Sequence, residues 1–266
     1  MPTRSALPSL ILILILASPV GLSSRAPAAP GLDSETFPPA LEVVVVTTPG
    51  WDAVEGRLER YERAAPSKKW KPVGRSFAVV VGKSGLAWGS GIVPVADSLA
   101  GPADPVKKEG DGRAPAGVFR LTTAFGYAAE AQPGWKMPYL QLTGSVECVD
   151  DSNSRFYNRV LDRGRVAADW NSSEHMLRPD ELYRWGIVVD HNSGPTRPGA
   201  GSCIFLHIWR GSGIGTVGCT AMPREQLETL LGWLDPRRQP LLVELPASEY
   251  KRARRLWHLP ALPTER

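Results

Sequence analysis

The chain has 266 residues, 42% hydrophobic and 22% charged, with a formal charge of +4 at pH 7. This is the ordinary balance of a globular protein and excludes a chain too polar to bury a core. With 26 Gly, 25 Pro and 9 Trp, the composition favours a loop-rich β architecture over a helical bundle.

Taken from the N-terminus, residues 1–28 have Arg4, an apolar run from Leu10, then Pro19 and Gly21, and a small-x-small pair at Ala26 and Ala28. The pattern predicts a cleaved secretory signal peptide, and the apolar run falls short of the ~20 residues a membrane span needs. Loss of Arg4 and Arg25 would take the formal charge from +4 to +2, which argues against a nucleic-acid partner. No membrane span is expected after cleavage, and an exported protein, periplasmic or in the cell envelope, is. Residues 29–40 read as a Pro-rich linker and 41–246 as one domain.

Within that domain Leu41 to Thr48 is β-branched and predicts a strand. In "WDAVEGRLERYERAA", Val54, Leu58 and Tyr61 stand at helical spacing with Asp52 placed as a cap, and predict a helix. Strands follow at "SFAVVVG" and "GLAWGSG", then a long Gly/Pro loop over 101–118. Further strands are expected in "GVFRLTTAF", "YLQLTG", "LYRWGIVVDH", "SCIFLHIW" and "PLLVELP". "PREQLETLLGWLD" opens on a proline and carries leucines on one face, so it predicts a helix. The basic tail, 247–266, reads as the solvated face of a terminal helix.

Three cysteines, Cys148, Cys203 and Cys219, are an odd set for an oxidising compartment, where one pair and one free thiol are expected. Strand alternation in "SCIFLHIW" puts Cys203, Phe205, His207 and Trp209 on one face. Twelve residues on from His207, after a glycine-rich return, comes Gly218-Cys219. A histidine beside a thiol makes the thiolate available as a nucleophile, and a glycine before it lets a substrate carbonyl approach backbone N–H groups. Read alone, the pair is equally compatible with a buried structural cysteine.

"FLHIWRGSGIGTVGCTAMP" resembles the signature of the L,D-transpeptidase catalytic domain, a His followed by Ser/Thr-x-Gly-Cys, carried by His207, Thr216, Gly218 and Cys219. "VKKEGDGRAPAGV" is similar to that family's Lys-x-x-Gly-Asp-Gly-x-x-Pro-x-Gly segment, through Lys107, Gly110, Asp111, Gly112, Pro115 and Gly117. The resemblance implies a mainly β, mixed β-sandwich-like fold with a few short helices, and peptidoglycan stem peptides as substrate. It implies Cys219 as nucleophile, His207 as base, the Gly218 and Cys219 N–H groups as an oxyanion hole, and Thr216 as a loop or substrate residue. Hydrolysis of the same thioester, as an L,D-carboxypeptidase, and a non-catalytic wall-binding role are the alternatives.

Many members of that family have Arg two residues after the cysteine, where this chain has Ala221, so Arg210 is a candidate substitute. Lys107 and Arg113 are either substrate contacts or parts of a structural loop bordering the cleft. With Cys219 assigned by the resemblance, Cys148 and Cys203 remain, as a disulfide or as two separate buried thiols. Asp190 and Asn192 are candidates to orient His207, and His191 reads as a polar residue at a strand end. No His/Cys pair has zinc spacing, so neither a metal nor another cofactor is expected.

Overall fold

The computed structural model describes residues 37–95 and 99–262. The expected signal peptide, and residues 29–36 of the expected linker, lie outside them. The linker's last residues are packed: Phe37 and Ala40 are buried, and the Ala40 carbonyl accepts from Arg63 Nε at 2.7 Å.

The strands in chain order are β1 Glu42–Thr48, β2 Glu55–Glu62, β3 Lys71–Pro72, β4 Phe77–Val80, β5 Leu86–Trp88, β6 Ala114–Gly126 and β7 Tyr139–Gln141. They continue as β8 Val146–Val149, β9 Val160–Asp162, β10 Ser173–His175, β11 Trp185–Val189, β12 Phe205–Ile208, β13 Thr220–Met222 and β14 Leu241–Pro246. Two α-helices, α1 Arg224–Trp233 and α2 Ala247–Leu256, complete a mainly β fold.

The main sheet runs β1-β14-β6-β11-β12-β13-β4-β2-β3, and β1 also pairs with β2, so the path closes on itself. Pairing is mixed: β1–β14 and β12–β13 are parallel, while β6, β11 and β12 run antiparallel in turn. Closure removes most free edges. It also explains why β1 is buried along nearly its whole length, as its unbroken apolar run requires. A small second sheet, β10-β8-β9, stands apart from this ring.

The helix expected around Leu58 is instead strand β2. Leu58 pairs with Val46 on β1 and with Phe77 on β4, so its backbone is taken up on both sides. Leu58 and Tyr61 are buried from a strand whose two faces are both partly covered, which mimics helical spacing. Tertiary pairing overrides the local pattern. Asp52 caps nothing and pairs with Arg113 at 2.7 Å.

Strand β6 begins at Ala114, inside the expected long loop. In α1, Leu227, Leu230 and Leu231 are buried as the sequence pattern requires. In the tail, α2 buries Tyr250 and Ala253 and turns Lys251, Arg252 and Arg255 outward.

Candidate active site

Strand β12 divides two apolar clusters. Ile204, Leu206 and Ile208 enter the main core, whereas Cys203 and Phe205 join a second cluster with Phe125, Cys148, Met176, Tyr183 and Cys219. His207 belongs to this second face: its ring meets the Tyr183 ring edge-on at 5.2 Å between centroids. Behind it, Gly186 pairs with His207, and a Cβ at Gly186 would lie 2.1 Å from Phe125 Cζ. That glycine lets the Phe125 ring lie against the strand and fixes the aromatic wall on which His207 rests.

Parallel strands β12 and β13 bring the nucleophile candidate alongside. Leu206 pairs with Thr220 and His207 with Ala221, so Cys219 immediately precedes the strand beside His207. The intervening loop is pinned to the end of β4, where Thr216 N donates to Val81 O at 2.9 Å and Lys83 N to Thr216 O at 2.7 Å. His207, Cys219, Thr216, Arg210 and Ala221 all line one cavity of ≈ 170 Å³, together with Glu174, Arg178, Tyr183 and Trp209. Ile214 and Val217, 50% and 74% exposed, give the same cavity an apolar lip.

The hydrogen bonds set the protonation states. His207 Nδ1 lies 2.8 Å from the Ile208 carbonyl, which can only accept, so Nδ1 carries the proton and Nε2 keeps a lone pair. Burial lowers the His207 pKa to about 4, opposed by that carbonyl bond. Burial likewise pushes the Cys219 thiol well above its usual range, with Glu174 adding to the effect and Lys107 opposing it. Near pH 7 the pair is therefore neutral thiol and neutral imidazole. The thiol donates to the Cys203 carbonyl at 3.5 Å, and Phe205 N–H donates to Sγ at 3.3 Å.

Thr216 braces the loop: its hydroxyl donates to the Cys219 carbonyl at 2.6 Å and accepts from Gly218 N–H at 3.1 Å. The Gly218 N–H, expected at an oxyanion hole, is thus engaged by Thr216. Nor does the missing Cβ of Gly218 open towards substrate. It would stand 3.3 Å from the Arg113 carbonyl and 3.9 Å from Lys107 Nζ, so the glycine admits the 107–113 loop behind the nucleophile.

Lys107 and Arg113 are both engaged by neighbouring groups of the protein. Lys107 is buried, bonded to Asp111 Oδ1 at 2.6 Å and to the Lys108 carbonyl. Arg113 bonds Asp52 and the Leu86 carbonyl, and neither residue lines the thiol cavity. Cys148 and Cys203 form a disulfide with Cα atoms 5.9 Å apart, leaving Cys219 as the free cysteine.

Asp190 and Asn192 do not orient His207: Asp190 pairs with Arg120, and Asn192 bonds the Arg197 and Gly201 carbonyls. His191 is buried rather than rim-exposed, donating from Nε2 to the Ala200 carbonyl at 3.0 Å, with Nδ1 unpartnered.

Residues 57–243 match the family model described as the L,D-transpeptidase catalytic domain, YkuD. The chain belongs to the L,D-transpeptidase catalytic-domain family. No curated protein and no solved structure matches the chain. Membership brings peptidoglycan and acyl-transfer chemistry as the family's general province. Among the described residues no helix is long and apolar enough to cross a membrane.

Three cavity residues carried no signal in the sequence. Glu174 comes from β10 of the small sheet, and Arg178 and Tyr183 from the segment joining that sheet to β11; all three reach the thiol only through the fold. At the position where many L,D-transpeptidases have arginine, Ala221 presents a methyl group to the cavity, while Arg178 and Arg210 supply guanidinium groups from other walls. Arg178 is held bidentately by Asp180 at 3.0 and 2.8 Å.

Proposed function

We propose that the protein is an exported peptidoglycan L,D-transpeptidase of the cell envelope. In this reading the Cys219 sulfur attacks the L,D peptide bond of a stem peptide as its proton passes to His207 Nε2. Cys219 N–H is the candidate oxyanion donor, because the Gly218 N–H is already bonded to Thr216. Collapse breaks the C–N bond, His207 returns the proton to the departing amine, and a thioester remains. An amine acceptor then takes the acyl group and restores the thiol.

The observation that carries this reading is the shared cavity of His207 and Cys219, with the His207 tautomer fixed so that Nε2 is the basic nitrogen. The neutral resting pair fits it: the thiol gains nucleophilicity only as the proton moves, inside a site that burial keeps apolar.

The test is intact mass after incubation with a carbapenem, followed by product analysis with purified muropeptides. A single adduct on the wild type and none on Cys219→Ala is expected, with cross-linked dimers among the products. Shortened stems without dimers would make the protein an L,D-carboxypeptidase. No adduct on the wild type would leave a non-catalytic wall-binding role.

A further inference from the structure

Among the residues lining the thiol cavity, Glu174 is the one carboxylate, facing two guanidinium groups, Thr216, Cys219, rings and apolar side chains. Its Oε1 accepts from the Tyr183 hydroxyl and lies 3.9 Å from Arg178 Nη1. Oε2 receives no hydrogen bond from the described residues, so the carboxylate keeps acceptor capacity in a half-buried position. An acid so placed works against a thiolate at Cys219 and contributes nothing to forming one. Its value has to lie in another step.

The position is built rather than incidental. Glu174 sits on β10 directly opposite Cys148 on β8. Cys148 is joined to Cys203, whose carbonyl accepts the Cys219 thiol. On the other side, Tyr183 bridges Glu174 to the His207 ring. The carboxylate is therefore tied to both members of the reacting pair by one disulfide, one strand pairing and one tyrosine.

We infer that Glu174 is the subsite for the ammonium group of the acyl acceptor and sets the preference for an amine over water. This rests on the acyl-transfer reading above. An amine arrives protonated near neutral pH and cannot attack until it loses a proton. Glu174 binds the ammonium through a charge-assisted hydrogen bond and takes one proton, leaving a free amine beside the thioester. The nitrogen lone pair attacks the acyl carbon and the C–S bond breaks. The second proton passes from nitrogen through His207 Nε2 to the sulfur, so amide and thiol form and His207 ends neutral. Glu174 then releases its proton to solvent. Burial raises the Glu174 pKa, which suits a carboxylate that must accept a proton and give it back.

The experiment compares wild type, Glu174→Gln and Glu174→Asp in two separate steps: acylation, read by intact mass, and partition of the acyl-enzyme among acceptors. The acceptors are a purified stem tetrapeptide, which presents an ammonium, and hydroxylamine, which is uncharged near neutral pH. Glu174→Gln keeps the Tyr183 bond and removes a charge that opposes the Cys219 thiolate, so it should acylate no more slowly than the wild type. Its transfer to the tetrapeptide, relative to hydrolysis, should fall about 10- to 100-fold, the worth of one hydrogen bond to a charged group, while transfer to hydroxylamine holds. Glu174→Asp should retain part of the preference. Undiminished transfer to the tetrapeptide in Glu174→Gln would overturn the inference, and so would an equal loss with both acceptors, which marks a structural role. If the wild type forms no acyl-enzyme, the acyl-transfer reading fails first and this subsite with it.

Discussion

The hydroxyl of Thr216 donates to the carbonyl oxygen of Cys219 at 2.6 Å while accepting from the N–H of Gly218 at 3.1 Å. One side chain thus satisfies two backbone groups around the nucleophile and holds the loop that presents it. Thr216→Val keeps the shape and removes both bonds. A stability loss of ~1–2 kcal/mol by urea denaturation is expected. Acylation should slow about 10- to 100-fold through misplacement of the sulfur. Thr216→Ser should recover most of both. Acylation by Thr216→Val at the wild-type rate would remove Thr216 from the positioning machinery.

Stability should pass through a maximum near neutral pH, because three buried groups pull in opposite directions. Burial lowers His191 and His207 from 6.5 to about 4, so the unfolded chain binds more protons there. Their contribution is complete above about pH 6.5 and is lost as pH falls towards 4, on the order of 3 kcal/mol for each. Glu244 is the reverse case. Fully buried beneath the nucleophile loop, it is raised from 4.5 to about 8 and accepts from Thr220 Oγ1 at 2.6 Å. Its contribution is complete below about pH 4.5 and is lost as pH rises through 8. Urea midpoints should climb to about pH 6.5, where only the carboxyl still titrates, and decline beyond it. Glu244→Gln should flatten the decline and His191→Asn part of the climb. A Glu244→Gln protein with an unchanged alkaline limb would show that this carboxyl is not the group responsible.

Breaking the Cys148–Cys203 bond should cost both stability and reactivity. It closes a loop of 55 residues, for which chain entropy gives about 4 kcal/mol. Cys203 also supplies the carbonyl that the Cys219 thiol uses, and Cys148 lies opposite Glu174. The Cys148→Ser, Cys203→Ser double variant should melt lower and acylate more slowly, with Cys219 still titratable by a thiol reagent after unfolding. A variant that loses stability but acylates normally would confine the disulfide to a structural role.

The proximity of His207 and Cys219 was legible because they lie within thirteen residues of one another on a strand and its glycine-rich return, where side-chain alternation is a local property. The same alternation put Phe205 and His207 on one face, where both rings meet that of Tyr183. What surrounds the pair was not legible. Glu174 arrives from the small sheet and Arg178 and Tyr183 from the segment that follows it, and nothing in "SSEHMLRPDELYR" announces a cavity wall. Strand β2 was misread for a related reason. A helix and a strand buried on both faces leave similar apolar spacing, and only the partners Val46 and Phe77 distinguish them. Lys107 and Arg113 read from the sequence as substrate contacts or as a structural loop, and their pairing with Asp111 and Asp52 behind Gly218 fits the loop.

The closed path of the main sheet has a consequence for the order of assembly. The first strand, β1, lies between β2 and β14, with Val43 facing Leu241 across almost the whole length of the chain. Strand β14 also completes the pairing of β6, the longest strand. The ring therefore cannot shut until residues 241–246 have joined it, and so distant a pairing makes closure slow. A chain stopped before Leu241 has β1 without its inner neighbour and Glu244 missing from beneath Thr220. The loop that carries Cys219 acquires its floor only when β14 has brought Glu244 beneath Thr220.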